Sequence, residues 1–113
     1  MTPDELRARC LALPGAVEEF PFGAGVSVFE VRGKVFALSA LGAEPLRVST
    51  KCHPGLAESL RMSYAAIAPG YHLNKRPWIT TTLGGDAPDE LVRDLVEDSH
   101  DLARPRARPR AGG

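Results

Sequence analysis

The stretch "VSVFEVRGKVFALSAL", residues 26–41, sets two runs rich in Val and Phe on either side of Arg32-Gly33. β-Branched and aromatic residues suit a pleated, half-buried surface, and a Gly in a two-residue turn takes positive φ at no steric cost. The stretch therefore reads as a β-hairpin. Outward from it, "LRVSTKC" (46–52) is a third strand candidate and "WITTTL" (78–83) a fourth, the latter closed by Gly84-Gly85. Before the hairpin, "FPFGAG" (20–25) is a loop by its Pro and Gly content.

Three segments read as helices. "TPDELRARCLALPG" (2–15) opens with Thr2 as cap, Pro3 at the first helical position and Glu5 three residues after the cap, the pattern of a capping box. Leu6, Cys10 and Leu13 recur at helical spacing, which makes Cys10 a core residue, and Pro14-Gly15 stops the helix. "HPGLAESLRM" (53–62) reads as a short helix with Pro54 near its start and Leu56 and Leu60 on one face. "DAPDELVRDLVEDSHDL" (86–102) repeats the opening device, with Asp86 or Ala87 ahead of Pro88 and acids in the first turn; Leu91, Val92, Leu95, Val96 and Leu102 form its apolar stripe. The two "PDEL" copies are one capping solution used twice rather than an internal repeat. Short connections between successive strands favour an antiparallel sheet. The expected class is α+β, with four or five antiparallel strands and helices packed on one face.

The chain of 113 residues is one domain's worth, and its 43% hydrophobic and 25% charged residues are ordinary for a globular protein. Cys10 and Cys52 offer neither a C-x-x-C metal or redox spacing nor a disulfide framework. The start carries Asp4 and Glu5 instead of a basic, then apolar, leader, and no apolar run approaches the roughly 20 residues that span a bilayer. A cytoplasmic protein without membrane contact is expected, with a monomer as the default. Residues 1–103 form the domain. The Arg/Pro tail 104–113 has no apolar residue larger than Ala and is expected to be disordered.

Fourteen basic residues balance fourteen acidic ones, but unevenly. Four of the arginines lie in the tail, so residues 1–103 hold 10 basic against 14 acidic, a net of −4. Within them, residues 51–76 hold Lys51, Arg61, Lys75 and Arg76 against Glu58, a net of +3, and residues 86–101 hold seven acids against Arg93, a net of −6. The basic segment ends in "PGYHLNKRPW", residues 69–78. Gly70 permits a sharp reversal and Pro77 biases Arg76 to an extended backbone, so a stiff loop leads into the strand at Trp78. Asn74 donates and accepts, Lys75 is a point charge, and Arg76 offers a planar fork that fits phosphate oxygens. With His72 beside them, that inventory suits a phosphate-rich partner.

The run "IAPGYHLNKRPWITTTL" resembles the MmcQ/YjbR family, whose hallmark is a Pro-Gly-Tyr-His-x-Asn-Lys-x-x-Trp segment. Other landmarks of that family follow in order: "PFG" at residues 21–23, "VFEVRGKVFAL", "LRVSTKCHPGLAESLR" and the closing helix ending "SHDL". The resemblance implies a CyaY-like α+β fold and a DNA-binding protein whose loops and strands form a double-wing surface. It carries a DNA-contacting role onto His72, Asn74, Lys75 and Arg76, with Lys34 beside the hairpin turn and Lys51 before the second helix as further contacts. His53 stands where the family more often has an acid, and the Arg/Pro tail has no counterpart in the pattern.

The expected function is therefore non-enzymatic binding of duplex DNA, without cofactor or metal. Three to five outward cations give only roughly micromolar to sub-millimolar non-specific affinity, and the acidic segment must face away from the duplex. No helix rich in Asn, Gln and Arg is available to read bases, so sequence preference should be weak. The rival is a binder of planar small molecules tied to drug resistance, with a cleft between "PFG" and Tyr71, His72 and Trp78; salt would weaken it far less. Cys52-His53 are neighbours on an extended chain and Ser99, His100 and Asp101 neighbours on a helix, so neither set points at a common centre. His53, His72 and His100 have no spacing that argues for a metal.

Overall fold

The computed structural model describes residues 1–70 and 78–104. The elements run α1 (Pro3–Leu11), β1 (Ala16–Glu19), β2 (Ser27–Val31), β3 (Lys34–Ser39), β4 (Arg47–Lys51), α2 (Pro54–Ser63), β5 (Ile67–Pro69), β6 (Trp78–Thr82) and α3 (Asp89–Ala103). The six strands form one sheet in the order β1-β2-β3-β4-β6-β5, and every neighbouring pair is antiparallel. The α+β class holds. The two strands beyond the four legible ones, β1 and β5, are the edges. They are four and three residues long, too short to show an alternation, and β5 ends on a Pro that an edge tolerates. Edge strand β1 is tied down by Glu18, whose carboxylate accepts from Arg7 Nε and Ser27 Oγ, each at 2.7 Å.

The local devices read from the sequence are present at α1. Thr2 Oγ1 accepts from the Glu5 N–H at 3.1 Å and the Glu5 carboxylate from the Thr2 N–H at 2.8 Å. The β2–β3 turn uses Arg32 at φ 51° and Gly33 at φ 79°, the double positive φ of a two-residue hairpin whose twist suits the strands. Two helical details differ from expectation. In α2 it is Ala57 and Leu60 that face the core, while Leu56 is 46% exposed. Helix α3 starts at Asp89 with Pro88 as its cap residue and no side-chain cap. Asp86 turns away instead, and its two carboxylate oxygens accept from the N–H groups of Ala65 and Ala66 at 2.8 and 2.9 Å.

All three helices lie on one face of the sheet. Leu6 and Cys10 of α1 pack with Val31, Phe36, Val48 and the α3 residues Val92 and Val96; Ala57 and Leu60 of α2 pack with Ile67, Ile79 and Leu95 of α3. Helix α3 thus contributes to both halves of the core. Burial pushes the Cys10 thiol up to about 12, with Glu18 adding, as befits a packing residue. No helix among the described residues is long and apolar enough to cross a membrane.

One polar contact closes the centre of the sheet. Phe36 is an extra residue on β3, since Phe29 pairs with Ala37 and Glu30 with Val35. The β3–β4 ladder stops there, at Ala37 and Thr50. The hydroxyl of Ser99, buried on α3, bridges the break. It donates to the Phe36 carbonyl at 2.6 Å and accepts from the Lys51 N–H at 2.7 Å. Next to it the ring of His100 meets Phe36 edge-on at 5.1 Å, and its Nε2 lies 2.8 Å from the Pro14 carbonyl, which requires Nε2 to carry the proton.

Ser99→Ala strands two buried backbone groups and should cost about 1–3 kcal/mol in urea unfolding. Thr81 Oγ1, buried with no hydrogen-bond partner among the described residues, should behave oppositely. The isosteric Thr81→Val is expected to leave stability unchanged or raise it. Equal losses for both would contradict this account of the core.

Candidate nucleic-acid interface

The register places several chain reversals at one end of the sheet. Val31 pairs with Lys34 across the β2–β3 turn, Lys51 ends β4 opposite Trp78, and β5 runs toward Trp78 with Pro69 opposite Ile79. The β2–β3 tip, the end of β4, the first turn of α2 and the base of the β5–β6 hairpin therefore share one end. Helix α3 also ends there, through its Ser99 and His100 contacts.

His72, Asn74, Lys75 and Arg76, with Tyr71, lie outside the described residues. Gly70 and Trp78 bound their segment. The Gly70 N–H donates to the Trp78 carbonyl at 3.1 Å, so the chain leaves and re-enters the sheet at one closed point. A Cβ on Gly70 would stand 2.8 Å from the Trp78 Cβ, closer than two carbons can approach; only glycine fits. Trp78 is 8% exposed, which makes its indole a packing group rather than an open stacking platform. The start of β5 is held by Asp86, whose carboxyl lies below its ordinary 3.8 because it accepts from the Ala66 and Ala65 N–H groups.

Of the remaining expected contacts, Lys34 is exposed as the first residue of β3, and Lys51 is half-buried as the last residue of β4. The Lys51 side chain emerges on the face away from the helices, because its neighbour Thr50 points into the core. Arg32, exposed at the hairpin tip, adds a cation that the sequence reading passed over. Ion pairs among the described residues join Met1 to Asp89, Arg7 to Glu18 and Arg104 to Asp101; none engages Arg32, Lys34 or Lys51.

The acidic segment occupies the other layer. Val92, Leu95, Val96, Ser99 and His100 of α3 face the sheet, which leaves Glu90, Asp94, Asp98 and Asp101 exposed on the outer side of the helix. Partial burial, and then the like charges of Asp94, Asp101 and Glu97, raise the Asp98 carboxyl. Burial also raises the Cys52 thiol, with Asp98 adding to it. Ser99 and His100 are spent on Phe36, Lys51 and Pro14, and are not arranged with Asp101 as a catalytic group. "PFG" follows β1 at the end of the sheet opposite Trp78, with β2, β3 and β4 between their strands, so among the described residues Phe22 and Trp78 are not neighbours; Tyr71 and His72 lie outside them.

Gly70→Ala should cost about 1–3 kcal/mol by overpacking against Trp78. The protein has a single tryptophan, so a shift in its emission reads the change directly; unchanged emission and midpoint would contradict the close approach. For Asp86 the folded carboxyl is lowered, so its contribution is complete above 3.8 and lost as pH falls through the lowered value. Asp86→Ala is expected to be less stable than the parent at pH 7, with the gap closing below that range in thermal melts. A gap independent of pH would contradict the assignment.

A family model described as YjbR matches residues 11–102. The chain is 38% identical over 93 residues to the Escherichia coli O157:H7 protein YbdF, covering 81% of this chain and 75% of YbdF. It is 33% identical over 57 residues to Bacillus subtilis YyaQ, covering 50% of this chain and 48% of YyaQ. Among solved structures, the Deinococcus radiodurans protein DR2400, with a DUF419 domain, superposes with a TM-score of 0.84 at 42% identity over 89% of this chain and 77% of its own. A Pseudomonas syringae protein superposes with a TM-score of 0.79 at 27% identity, covering 92% of this chain and all of its own. By the span of the family match and by these likenesses, the chain belongs to the YjbR family.

Proposed function

We propose that this protein binds duplex DNA without catalysis and with weak sequence preference, gripping phosphates with one end of its sheet. The observation that carries the reading is the convergence of two hairpins on that end. The β2–β3 tip brings Arg32 and Lys34, and the β5–β6 hairpin closes at Gly70 and Trp78 around the segment holding His72, Asn74, Lys75 and Arg76. Lys51 ends the strand between them. That arrangement is the support for the double-wing surface that the family resemblance implied.

Arg32 supports the same reading from its backbone. The turn requires positive φ at position 32, where a side chain costs roughly 1–2 kcal/mol relative to Gly; the chain carries an exposed Arg there all the same. The α2 N-terminus, where no side chain caps the helix after His53, adds a partial positive charge at that end. The carboxylates of α3 stand on the helical layer; Asp98 and Asp101, which flank Ser99 and His100 near the end of β4, subtract from the attraction there and keep the affinity modest. A planar-ligand site is less well supported, because Trp78 is buried and "PFG" stands at the other end of the sheet.

Lys75→Ala combined with Arg76→Ala should lower affinity for a labelled duplex and reduce the slope of log K against log salt by up to about two, with the melting temperature unchanged. A double variant that binds as well as the parent at low salt would rule out this site.

A further inference from the structure

The face of the sheet away from the helices carries a second feature. Arg47, Ser49 and Lys51 alternate along β4 with the core residues Val48 and Thr50, and so emerge together on the open face. Opposite them on β6 stand Thr82, Thr80 and Trp78; Trp78 is buried and Lys51 half-buried, so the accessible part of this face runs from Ser49 and Thr80 to Arg47. Ser49 Oγ and Thr80 Oγ1 lie 2.8 Å apart, one donating to the other. That contact consumes one hydroxyl proton of two and leaves one O–H to donate elsewhere. Arg47 is exposed, and its guanidinium is in none of the ion pairs among the described residues. The acids of this face, Glu19 and Glu30, belong to β1 and β2, so the nearer is two strands, about 10 Å, from β4.

We infer that β4 is a track for the phosphate backbone of one DNA strand, which enters at Lys51 and runs along the sheet to Arg47. The inference rests on the DNA-binding reading and adds contacts outside the hairpin end: Arg47 and the Ser49–Thr80 pair. Arg47 and Lys51 are four residues apart, about 13 Å along an extended strand. One strand of a duplex presents about four phosphates over that length of axis. Two cations with a hydroxyl donor between them match a line of oxyanions. They carry no pattern that distinguishes bases, which keeps sequence preference weak.

The test is anisotropy titration of a fluorescent 20-base-pair duplex from 50 to 200 mM salt with the full chain, Arg47→Ala, Arg47→Lys and Lys51→Ala. The side chain of Arg47 is exposed and in no ion pair among the described residues, and its backbone, which pairs with Thr82 and accepts from Ser39 Oγ, is unchanged by substitution, so the variants should melt with the parent. Arg47→Ala is expected to bind several-fold more weakly and to flatten the salt slope by about 0.9; Arg47→Lys should restore the slope. If Arg47→Ala keeps the parental affinity and slope, the track is wrong, and a slope lost in Lys51→Ala would then leave the hairpin-end reading standing. If the parent itself does not bind the duplex, both readings fall.

Discussion

The hydroxyl of Ser99 does for the sheet what the ladder cannot do at Phe36. An extra residue on β3 removes the partner that Lys51 would have had, and α3 supplies one from outside the sheet. The contact fixes β4 against both β3 and α3. Strand side chains alternate, so a slip of one residue would send Arg47, Ser49 and Lys51 into the core and expose Val48 and Thr50. The face that carries the cations is thus set by a buried hydrogen bond on the other side of the sheet.

That arrangement sorts charge in a chain whose total is zero. Of the seven acids in residues 86–101, Glu90, Asp94, Asp98 and Asp101 sit on the outer surface of α3, and the sheet and its core lie between those carboxylates and the side chains of β4. Opposite charges held on two layers do not pair, and each layer keeps its own field over a Debye length of about 8 Å at physiological salt. Crowding among the acids is visible in Asp98, whose raised carboxyl reflects partial burial and then three neighbouring carboxylates.

Much of the fold was legible because it is local. The Thr2–Glu5 box and the successive turns of the apolar stripe of α3 depend on residues three or four apart, and the hairpin on pairs no more than twelve apart. The edge strands were not, since three or four residues become a strand only when a neighbour pairs with them. Leu56 and Asp86 were misplaced for a related reason. With Leu60 inward, the helix can bury the residue three before it or the one four before it, and the sheet takes the small Ala57 over Leu56; Asp86 finds its donors 21 and 20 residues away, at Ala65 and Ala66. For the site, Lys34 and Lys51 could be named from sequence, but their common end could not, because it follows from the sheet order. Arg47 was passed over although it stands four residues before Lys51; which face the helices would leave open is not written in β4 itself.

Amide chemical-shift mapping with a short duplex tests the central claim most directly. The account predicts perturbations at Arg32, Lys34, Arg47, Lys51 and the segment between Gly70 and Trp78, fading with added salt, and none along the outer face of α3. Perturbations centred on α1 and α3, or none at low salt, would contradict it.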